Sequence, residues 1–352
     1  MKVFQANHNL FRLSIPWITA GVLALTACNA GRQDNENSLK DTTPDYHATE
    51  KPLTRVRFLP YWVSTAQFAG YYVAAEKGIY EKYGIDIEII PFQPFLTNTA
   101  TLFENGEVDF AAIWLENAIG LKASGADIVN IAQPSTQSSL MLITKKSSGI
   151  ATLEQMNGKK AGIWEGFDLQ PRALFSKYGL DVKIIPIGST NNLFLKGGVD
   201  ITVANWFDEY HSILNTGFNP DELNTFFFKD YGFNFLEDGI YCPAELRESN
   251  PQLCEAFIKA TFEGWLYAFS HPDHALDIVI QRAREDKIPV NRVHQQWMLD
   301  RYRDLYFPRG STNINTRLSK EDYLAVGNLL LEGGLIKELP TFETFYQPVV
   351  RQ

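Results

Sequence analysis

The sequence predicts an α/β protein with two similar lobes, each a mostly parallel sheet flanked by helices. Two pairs of matching segments indicate the duplication. Residues 82–91 and 177–186 both read as a helix end, a glycine, an alternating strand and a closing proline. A Val-Asp pair then leads through an apolar strand to a tryptophan, at 108–114 and again at 199–206. Strands that alternate with helices are typical of parallel sheets, although unrelated βα units can share such punctuation.

Length and composition allow about two domains and exclude several classes of protein. The chain has 352 residues, of which 45% are hydrophobic and 13% aromatic, and this is too apolar for a disordered protein. No run of basic residues offsets the formal charge of −9, so no nucleic-acid partner is expected. A multi-span membrane protein is excluded because the single candidate membrane segment lies at the N-terminus.

The first 52 residues predict a leader and a tether. Residues 1–28 carry basic but no acidic residues and an apolar stretch that ends at Cys28. This layout is typical of a secretory signal peptide, and its last four residues resemble the bacterial lipobox, in which the cysteine is lipidated. The alternative is an ordinary signal peptide with an incidental cysteine. Residues 29–52 are polar and predict a flexible tether, so we expect an extracytoplasmic body held to a membrane by the lipid alone.

The order of the elements predicts where each lobe begins and ends. A strand at 56–59 and a helix over 68–83 open the first lobe. The apolar pattern in 253–280 predicts amphipathic helices that return to it. The predicted limits are 53–143 plus 240–352 for lobe 1 and 144–239 for lobe 2.

Four tryptophans fall where a predicted strand ends, two in each lobe. Ligands of open α/β sheets bind beyond the carboxyl ends of the strands, so these indoles predict a cleft that stacks on a planar ring. Acids and amides near them would bind the edge of the ring. The predicted ligand-binding residues are Trp62, Gln67, Trp114, Glu116, Asn117, Trp164, Glu165, Asn205, Trp206 and Glu209.

The acids near these tryptophans predict the charge of the ligand. Carboxylates accept hydrogen bonds and repel anions, so a neutral or cationic heterocycle is expected rather than nitrate, sulfonate or phosphate. Each acid taken alone fits equally well as a residue in the first turn of a helix, where the dipole favours it.

Sequence motifs for catalysis or metal binding are absent, so we expect no catalytic residue, cofactor or metal. The sequence has no P-loop, nucleophile elbow, HExxH or paired cysteine ligands. His271 and His274 flank a proline and predict a helix start rather than a metal pair. Cys242 and Cys254 are either two buried thiols or a disulfide.

Several stretches resemble a known group of proteins. Residues 58–62 and 67–80 resemble the opening of type 2 solute-binding proteins of bacterial ABC importers. Residues 153–164 resemble the entry into the second lobe of this group, and 236–241 resemble its return segment. The branch concerned is similar to thiamine-pyrimidine, riboflavin and nitrate, sulfonate or taurine binding proteins. The similarity covers about 55–285.

The resemblance implies a periplasmic-binding-protein (Venus-flytrap) fold, in which two lobes close on a solute. It implies crossings between the lobes near 142–145 and 236–241. An ABC permease and its ATPase would be the partners. We expect a monomer that binds one small heterocycle, such as a thiamine pyrimidine precursor or a riboflavin-like molecule. Tyr61 stands where the pyrimidine binders have asparagine, which leaves a flavin or another heterocycle open.

A related group of enzymes supplies an alternative function. Fungal thiamine pyrimidine synthases share this fold and use a lysine that carries pyridoxal phosphate and a sacrificial histidine. Matched without gaps, those positions are Ile113 and Asn117 here, and of the enzymes' cysteine cluster only Cys242 is present. These departures argue against synthesis of hydroxymethylpyrimidine phosphate. A sulfonate, taurine or nitrate binding protein is the other alternative, against which the acids argue.

Overall fold

The computed structural model describes residues 52–94, 96–165, 167–188, 190–307 and 314–349. The predicted leader, Cys28 and all of the predicted tether except its last residue lie outside these ranges. Among the described residues, no helix combines the length and the apolar character that crossing a bilayer requires.

Strands and helices alternate along the described residues, which confirms the predicted α/β class. The strands are β1 (Thr54–Pro60), β2 (Ile85–Ile89), β3 (Phe110–Ile113), β4 (Ile128–Ala132), β5 (Leu140–Lys145), β6 (Lys160–Trp164), β7 (Lys183–Ile187), β8 (Ile201–Asn205), β9 (Leu223–Phe227) and β10 (Gly239–Pro243). The helices are α1 (Ala69–Glu76), α2 (Ile79–Lys82), α3 (Thr99–Glu104), α4 (Leu115–Ala123), α5 (Leu169–Lys177), α6 (Asn192–Leu195), α7 (Glu209–Leu214), α8 (Ala244–Ser249), α9 (Pro251–Ser270), α10 (Pro272–Glu285), α11 (Arg292–Tyr306), α12 (Lys320–Glu332) and α13 (Phe342–Phe345).

The strands form two five-stranded sheets with equivalent topology. The first sheet has the order β2-β1-β3-β10-β4, and the second has the order β7-β6-β8-β5-β9. In each sheet one strand, β10 or β5, runs antiparallel to both of its neighbours. Each of these strands is the first that the chain forms after it arrives from the other sheet. We call the part built on the first sheet the first lobe and the part built on the second sheet the second lobe.

The two repeated segments occupy equivalent places in the sheets, but their strands begin at different points. β2 begins directly after Gly84, whereas β7 begins three residues later in the repeat, at Lys183. A loop contact accounts for the delay. The amide of Asp181 donates to Asn157 Oδ1 at 2.8 Å, and the Asp181 carbonyl accepts from the amide of Gly158 at 2.7 Å. These bonds use backbone groups that would otherwise pair in the sheet.

The chain crosses between the sheets earlier than predicted. The first crossing runs over 133–139, because β4 ends at Ala132 and β5 begins at Leu140. The predicted crossing near 142–145, with its lobe limit at 143, is wrong in position, since β5 pairs along its length with β8 and β9. The second crossing runs over 228–238, so only the first half of the predicted 236–241 lies in it. The other predicted lobe limits stay predictions.

Close packing of α1 against α9 positions the residues just before α1. A Cβ atom on Gly264 of α9 would lie 2.2 Å from the carbonyl oxygen of Gly70, so the approach of the two helices requires glycine there. On the sheet side of α9, Phe257 stacks on Phe110 of β3 with ring centroids 4.1 Å apart. This packing holds Gln67, two residues before α1, in the interior near the second crossing.

The predicted helix start at His271 is confirmed, because His271 caps α10 and Pro272 is its first residue. Cys242 and Cys254 are buried free thiols, and a hydrogen bond between them raises the pKa of Cys242. Within the described ranges, no group of three or more histidine, cysteine or acidic side chains is arranged to hold a metal ion.

Candidate functional site

Each of the four predicted tryptophans lies at the carboxyl end of a strand, as predicted. Trp114 and Trp206 directly follow β3 and β8, Trp164 is the last residue of β6, and Trp62 comes two residues after β1. The carboxyl ends of parallel strands meet at one edge of a sheet, where ligands of such folds bind. Their role as ligand contacts stays a prediction.

A buried polar cluster lies where the second crossing enters β10. Asp238 is 1% exposed, and each of its carboxylate oxygens accepts from Gln67 Nε2 at 3.2 Å. The hydroxyl of Tyr302 donates to the same carboxylate at 2.6 Å. Burial raises the pKa of Asp238 to about 6, although Tyr302, Gln67 and the indole N–H of Trp114 act to lower it. Asp238 is therefore mostly charged at pH 7.

Glu237, which directly precedes Asp238, is equally buried but differs in its charge. Its Oε1 accepts from the Ser138 hydroxyl at 3.2 Å and from the Ser139 amide and hydroxyl, both at 2.8 Å. Its Oε2 has no partner among the described residues. Burial raises the pKa of Glu237 to about 8, so the neutral acid dominates at pH 7, with its proton on Oε2. We call Gln67, Trp114, Glu237, Asp238 and Tyr302 the crossing cluster.

Two buried tyrosine hydroxyls next to the crossing cluster are also unpaired. Neither the Tyr71 nor the Tyr306 hydroxyl has a partner within the described part of the chain. Burial, together with nearby negative charge that includes Asp238, raises the pKa of both phenols well above the usual range. An unpaired buried polar atom costs about 1–3 kcal/mol. Such a concentration of them is typical of a site that binds a polar molecule.

The backbone at the end of the second crossing explains why both acids are buried there. Asp238 has a φ of 53°, in the left-handed region that aspartate tolerates better than most residues. Gly239 lies close to buried side chains, since a Cβ atom would lie 2.5 Å from Gln133 Oε1 and 2.7 Å from Asn130 Nδ2 and would displace them. Strain of this kind is common at functional sites. The Glu-Asp-Gly sequence thus turns the chain into β10 with both carboxyl groups inside.

Phe167 of the second lobe contacts both Trp114 of the first lobe and Trp164 of the second. The Phe167 ring centroid lies 6.1 Å from Trp114 and 6.0 Å from Trp164, at interplanar angles of 68° and 88°. Among the described residues, none of the four predicted indoles stacks directly on another. The aromatic centre of the cleft therefore consists of two predicted tryptophans and one phenylalanine that the sequence analysis missed.

A second polar centre surrounds Glu116, at the first turn of α4. Gln170 Nε2 of the second lobe donates to Glu116 Oε1 at 2.9 Å, whereas Glu116 Oε2 and Asn117 Oδ1 have no partner in the described ranges. Burial raises the pKa of Glu116 to about 7. These residues, with Tyr61 and Phe167, line a cavity of about 310 Å³ between the lobes, which we call the Glu116 cavity.

Trp206 lies under helix α11, which packs in the first lobe. The guanidinium carbon of Arg301 lies 4.7 Å from the Trp206 ring centroid. Trp297 Nε1 donates to the Trp206 carbonyl at 2.8 Å, and Phe227 meets the indole edge-on at 5.9 Å. Part of the predicted ring-stacking surface is thus already in contact with the protein.

Asn205 and Glu209 are buried next to Trp206. Asn205 Oδ1 lies 3.2 Å from the Ser139 hydroxyl, which donates to Glu237 Oε1 at 2.8 Å, so Asn205 lies next to the donors of Glu237. Glu209 Oε2 accepts a hydrogen bond from the backbone N–H of Asn205 at 2.9 Å. Burial, with the negative charge of Asp208 next to it, raises the pKa of Glu209 to about 8. Of this pair, Asn205 is the one that reaches the crossing.

Two histidines join α7 of the second lobe to α11. His211 Nδ1 and His294 Nδ1 lie 2.9 Å apart, and His294 Nε2 lies 2.9 Å from Asp208 Oδ1. The His211 ring stacks on Trp297 with centroids 4.8 Å apart. Burial, followed by the neighbouring His294, lowers the pKa of His211. We call His211, His294 and Asp208 the histidine contact.

Two of the predicted residues are the most exposed of the set. Trp62 is 37% exposed and lines an open groove of about 680 Å³ with Asp208 and His294. Glu165 is exposed, and its backbone amide donates to the Ile187 carbonyl at 3.1 Å. Neither side chain hydrogen-bonds to the crossing cluster in the part of the chain that the structure describes.

Site residues that arrive from distant segments were not predicted from the sequence. Residues 236–241 were predicted as a return segment, but Glu237 and Asp238 were not predicted as site residues. Adjacent acids directly before a buried strand were the available signal. Phe167 and Tyr302 lie in segments whose patterns read as ordinary helix and loop, so no local signal marked them.

A model of the family described as NMT1/THI5 like matches residues 65–275, more than half of the chain. The chain belongs to this family. The riboflavin-binding protein RibY of Chloroflexus aurantiacus is 24% identical over 268 residues, which cover 74% of this chain and 75% of RibY. The 4-amino-5-hydroxymethyl-2-methylpyrimidine phosphate synthase of Legionella pneumophila is 24% identical over 256 residues, 67% of this chain and 76% of the enzyme.

Solved structures confirm the fold of this NMT1/THI5-like chain. The periplasmic aliphatic sulphonate binding protein SsuA of Escherichia coli superposes with a TM-score of 0.65 at 16% identity, over 84% of this chain and 92% of SsuA. An SsuA from Methylobacillus flagellatus gives 0.64 at 18% identity, over 85% and 92%. At such identities the likeness shows the fold alone, which is the predicted periplasmic-binding-protein fold.

Proposed function

We propose that this protein is the extracytoplasmic solute-binding component of an ABC importer and captures a planar heterocycle between its lobes. The ligand is a thiamine pyrimidine precursor or a riboflavin-like molecule. The periplasmic-binding-protein fold supports the role in import. The relationship to a riboflavin-binding protein and to a pyrimidine synthase supports a ring-shaped ligand.

The observation that carries this proposal is the crossing cluster, which pairs a neutral acid with a charged one beside an indole. The protonated Oε2 of Glu237 donates to a ring nitrogen or a ring carbonyl. The charged Asp238 favours ring N–H groups or a cationic ring and repels anions. Trp114 offers an aromatic surface on which the ring stacks. A neutral or cationic heterocycle fits these groups, whereas a sulfonate, nitrate or phosphate does not.

The ten predicted binding residues remain our proposed contacts, and two of them lie within the crossing cluster. Gln67 donates to Asp238, and both Gln67 and Trp114 lower its pKa, so these two residues are the best supported of the ten proposed contacts. Asn205 is linked to the cluster through Ser139. The other seven lie around the aromatic centre, the Glu116 cavity, the open groove and the contact with α11.

Synthase chemistry does not fit the residues at the matched positions. Ile113 is a fully buried strand residue with no amine for a Schiff base to pyridoxal phosphate, and Asn117 has no imidazole. We therefore propose a binding protein without a cofactor rather than an enzyme.

We propose an ABC permease and its ATPase as the partners of this protein. In this proposal Cys28 carries the lipid that holds a monomeric body near the transporter. Closure of the lobes on the solute would present the loaded form to the permease.

Calorimetric titration of the purified chain tests the proposed function. The panel contains riboflavin, hydroxymethyl- and formylamino-pyrimidine, taurine and nitrate. We expect one heterocycle to bind at one molecule per chain, and Asp238→Asn to weaken that binding about tenfold because a charged hydrogen-bond acceptor is lost. Asp86→Asn, at an exposed position of β2, is the matched control. Heat from taurine or nitrate alone would overturn the proposal, and an absorbance band of bound pyridoxal phosphate would favour the synthase.

A further inference from the structure

Two buried side-chain oxygen atoms of the residues that line the Glu116 cavity have no hydrogen-bond partner among the described residues. Glu116 is 6% exposed, and Gln170 occupies its Oε1 but not its Oε2. Neither Glu116 Oε2 nor Asn117 Oδ1 has a partner among the described residues, and both residues line the cavity. Because an unpaired buried polar atom costs about 1–3 kcal/mol, the two oxygens are expected to meet hydrogen-bonding groups of a bound molecule.

The remaining lining of the cavity restricts what that molecule is. Leu121, Leu330 and Ile336 form an aliphatic wall. The described residues that line the cavity include no lysine or arginine, so it does not suit a phosphate or sulfonate group. A cavity lined by unpaired oxygens and by aliphatic side chains suits a hydroxylated carbon chain. Its C–H groups pack against the leucines, and its hydroxyls hydrogen-bond to the oxygens.

We infer that the Glu116 cavity binds a hydroxylated, unphosphorylated aliphatic arm of the ligand, so that the cargo is a ring with a polyol arm rather than a bare pyrimidine. This inference rests on the proposed function, because the ring of the same ligand occupies the crossing cluster.

Two aromatic rings connect the proposed ring site to the proposed arm site. Trp114 belongs to the crossing cluster, where it lowers the pKa of Asp238, and Phe167 lines the Glu116 cavity. Their ring centroids lie only 6.1 Å apart. A ring that stacks on Trp114 therefore places its substituents next to Phe167, at the wall of the cavity.

The arm site also couples ligand binding to closure of the lobes. Glu116 and Asn117 belong to the first lobe, whereas Phe167 and Gln170 belong to the second, so the cavity is complete only when the lobes are together. A ligand arm that contacts both sides binds the closed state better than the open one and shifts the population toward it.

Calorimetric titration of the purified chain with riboflavin and lumiflavin, which share a ring but differ in the polyol arm, tests the inference. We expect riboflavin to bind about tenfold more tightly than lumiflavin, as one or two buried hydrogen bonds to a charged or acidic group predict. Riboflavin phosphate is expected to bind more weakly than riboflavin. Glu116→Met should weaken riboflavin about tenfold and lumiflavin much less, so that the two flavins bind with similar affinity, whereas Glu104→Met, at an exposed position of α3, should change neither.

A second variant keeps the test decisive if Glu116→Met fails to fold. Leu335 is 61% exposed and lines the cavity, so Leu335→Trp is designed to block the cavity with a larger side chain while Glu116 is left unmutated. It should abolish the preference for riboflavin over lumiflavin.

The possible results separate the inference from the proposed function. Equal binding of the two flavins to the wild-type chain, or an equal loss of both in the variants, overturns the inference alone. Binding of a bare aminopyrimidine without either flavin has the same meaning. Failure of every ring compound to bind overturns the proposed function itself.

Discussion

Trp114 and Trp206 occupy the same place in two copies of one sequence pattern, yet their surroundings differ. Each follows a Val-Asp pair and a buried strand. The indole N–H of Trp114 lowers the pKa of the buried Asp238 carboxylate, whereas the Arg301 guanidinium lies over the Trp206 ring. A repeated pattern thus decides where a side chain leaves the sheet but not which groups it meets there.

The difference arises because a different distant segment arrives at each strand end. At the first sheet it is the second crossing, which brings two acids. At the second sheet it is α11, whose Trp297 donates to Trp206 from 91 residues along the chain. A guanidinium over an indole contributes about 0.5–2 kcal/mol. Trp206 therefore helps to hold the lobes together, while Trp114 is left among polar groups that suit a ligand.

The largest expected effect separates the two indoles directly. Trp114→Ala should weaken binding of the heterocyclic ligand about 30-fold or more, because a buried aromatic contact of a binding site is worth about 2 kcal/mol. Trp206→Ala should weaken binding several-fold less and instead lower the melting temperature by about 3 °C or more, since it loses the Arg301 contact. Calorimetry and thermal melts of both variants measure this. Equal losses of affinity would mean that the two copies act alike, as the repeat alone suggests.

The pH dependence of stability compares a buried acid near Trp114, Glu237, with a buried acid near Trp206, Glu209. Burial raises the pKa of both Glu237 and Glu209 to about 8, so each favours the folded state fully below about pH 4.5 and loses that contribution as the pH rises toward 8. Glu237→Gln and Glu209→Gln remove this loss. Each variant should melt higher than the wild type at pH 8, by about 3 °C or more, and should melt like the wild type near pH 4.5.

Ligand binding then distinguishes the two acids. Glu237→Gln is expected to change the pH dependence of the ligand affinity more than Glu209→Gln does. The neutral Oε2–H of Glu237 is the proposed donor to the ring and is lost as the pH rises toward 8, whereas the glutamine amide keeps a donor at every pH. Melting curves between pH 4.5 and 8, with Glu107→Gln at an exposed position as the control, give the stability effect. Wild-type pH dependence in both variants would contradict the raised pKa values.

The smallest expected effect concerns the histidine contact on the Trp206 side. Burial lowers the pKa of His211, so its neutral form is favoured in the folded chain, and stability is lost as the pH falls below about 6.5. His211→Gln should reduce this acid sensitivity by about 1–2 °C in melting temperature between pH 7 and pH 5. His271→Gln, on an exposed helix end, is the control. An unchanged acid response in His211→Gln would remove this histidine as its source.

The fold was largely predictable because its signals are local. Alternating apolar residues, glycines and prolines predicted several of the strands, and the repeat predicted two similar sheets. The first crossing was placed too late because the apolar run at 140–145 is a strand of the second sheet, and its partner strands lie more than 55 residues further along the chain. Gln67 and Trp114 were predicted as site residues and stay a prediction, whereas Tyr302 was not predicted, since nothing around it differs from an ordinary helix.

The sequence by itself determined the α/β class, the two similar sheets and the tryptophans at their strand ends, because the periodicity that specifies them spans only a few residues. Only the tertiary structure decided which of these side chains share a site. The hydrogen bonds of Asp238 to Gln67 and Tyr302 join segments far apart in the chain. The charge of each acid was likewise decided by burial, which raises proton affinity in a way that no local pattern reports.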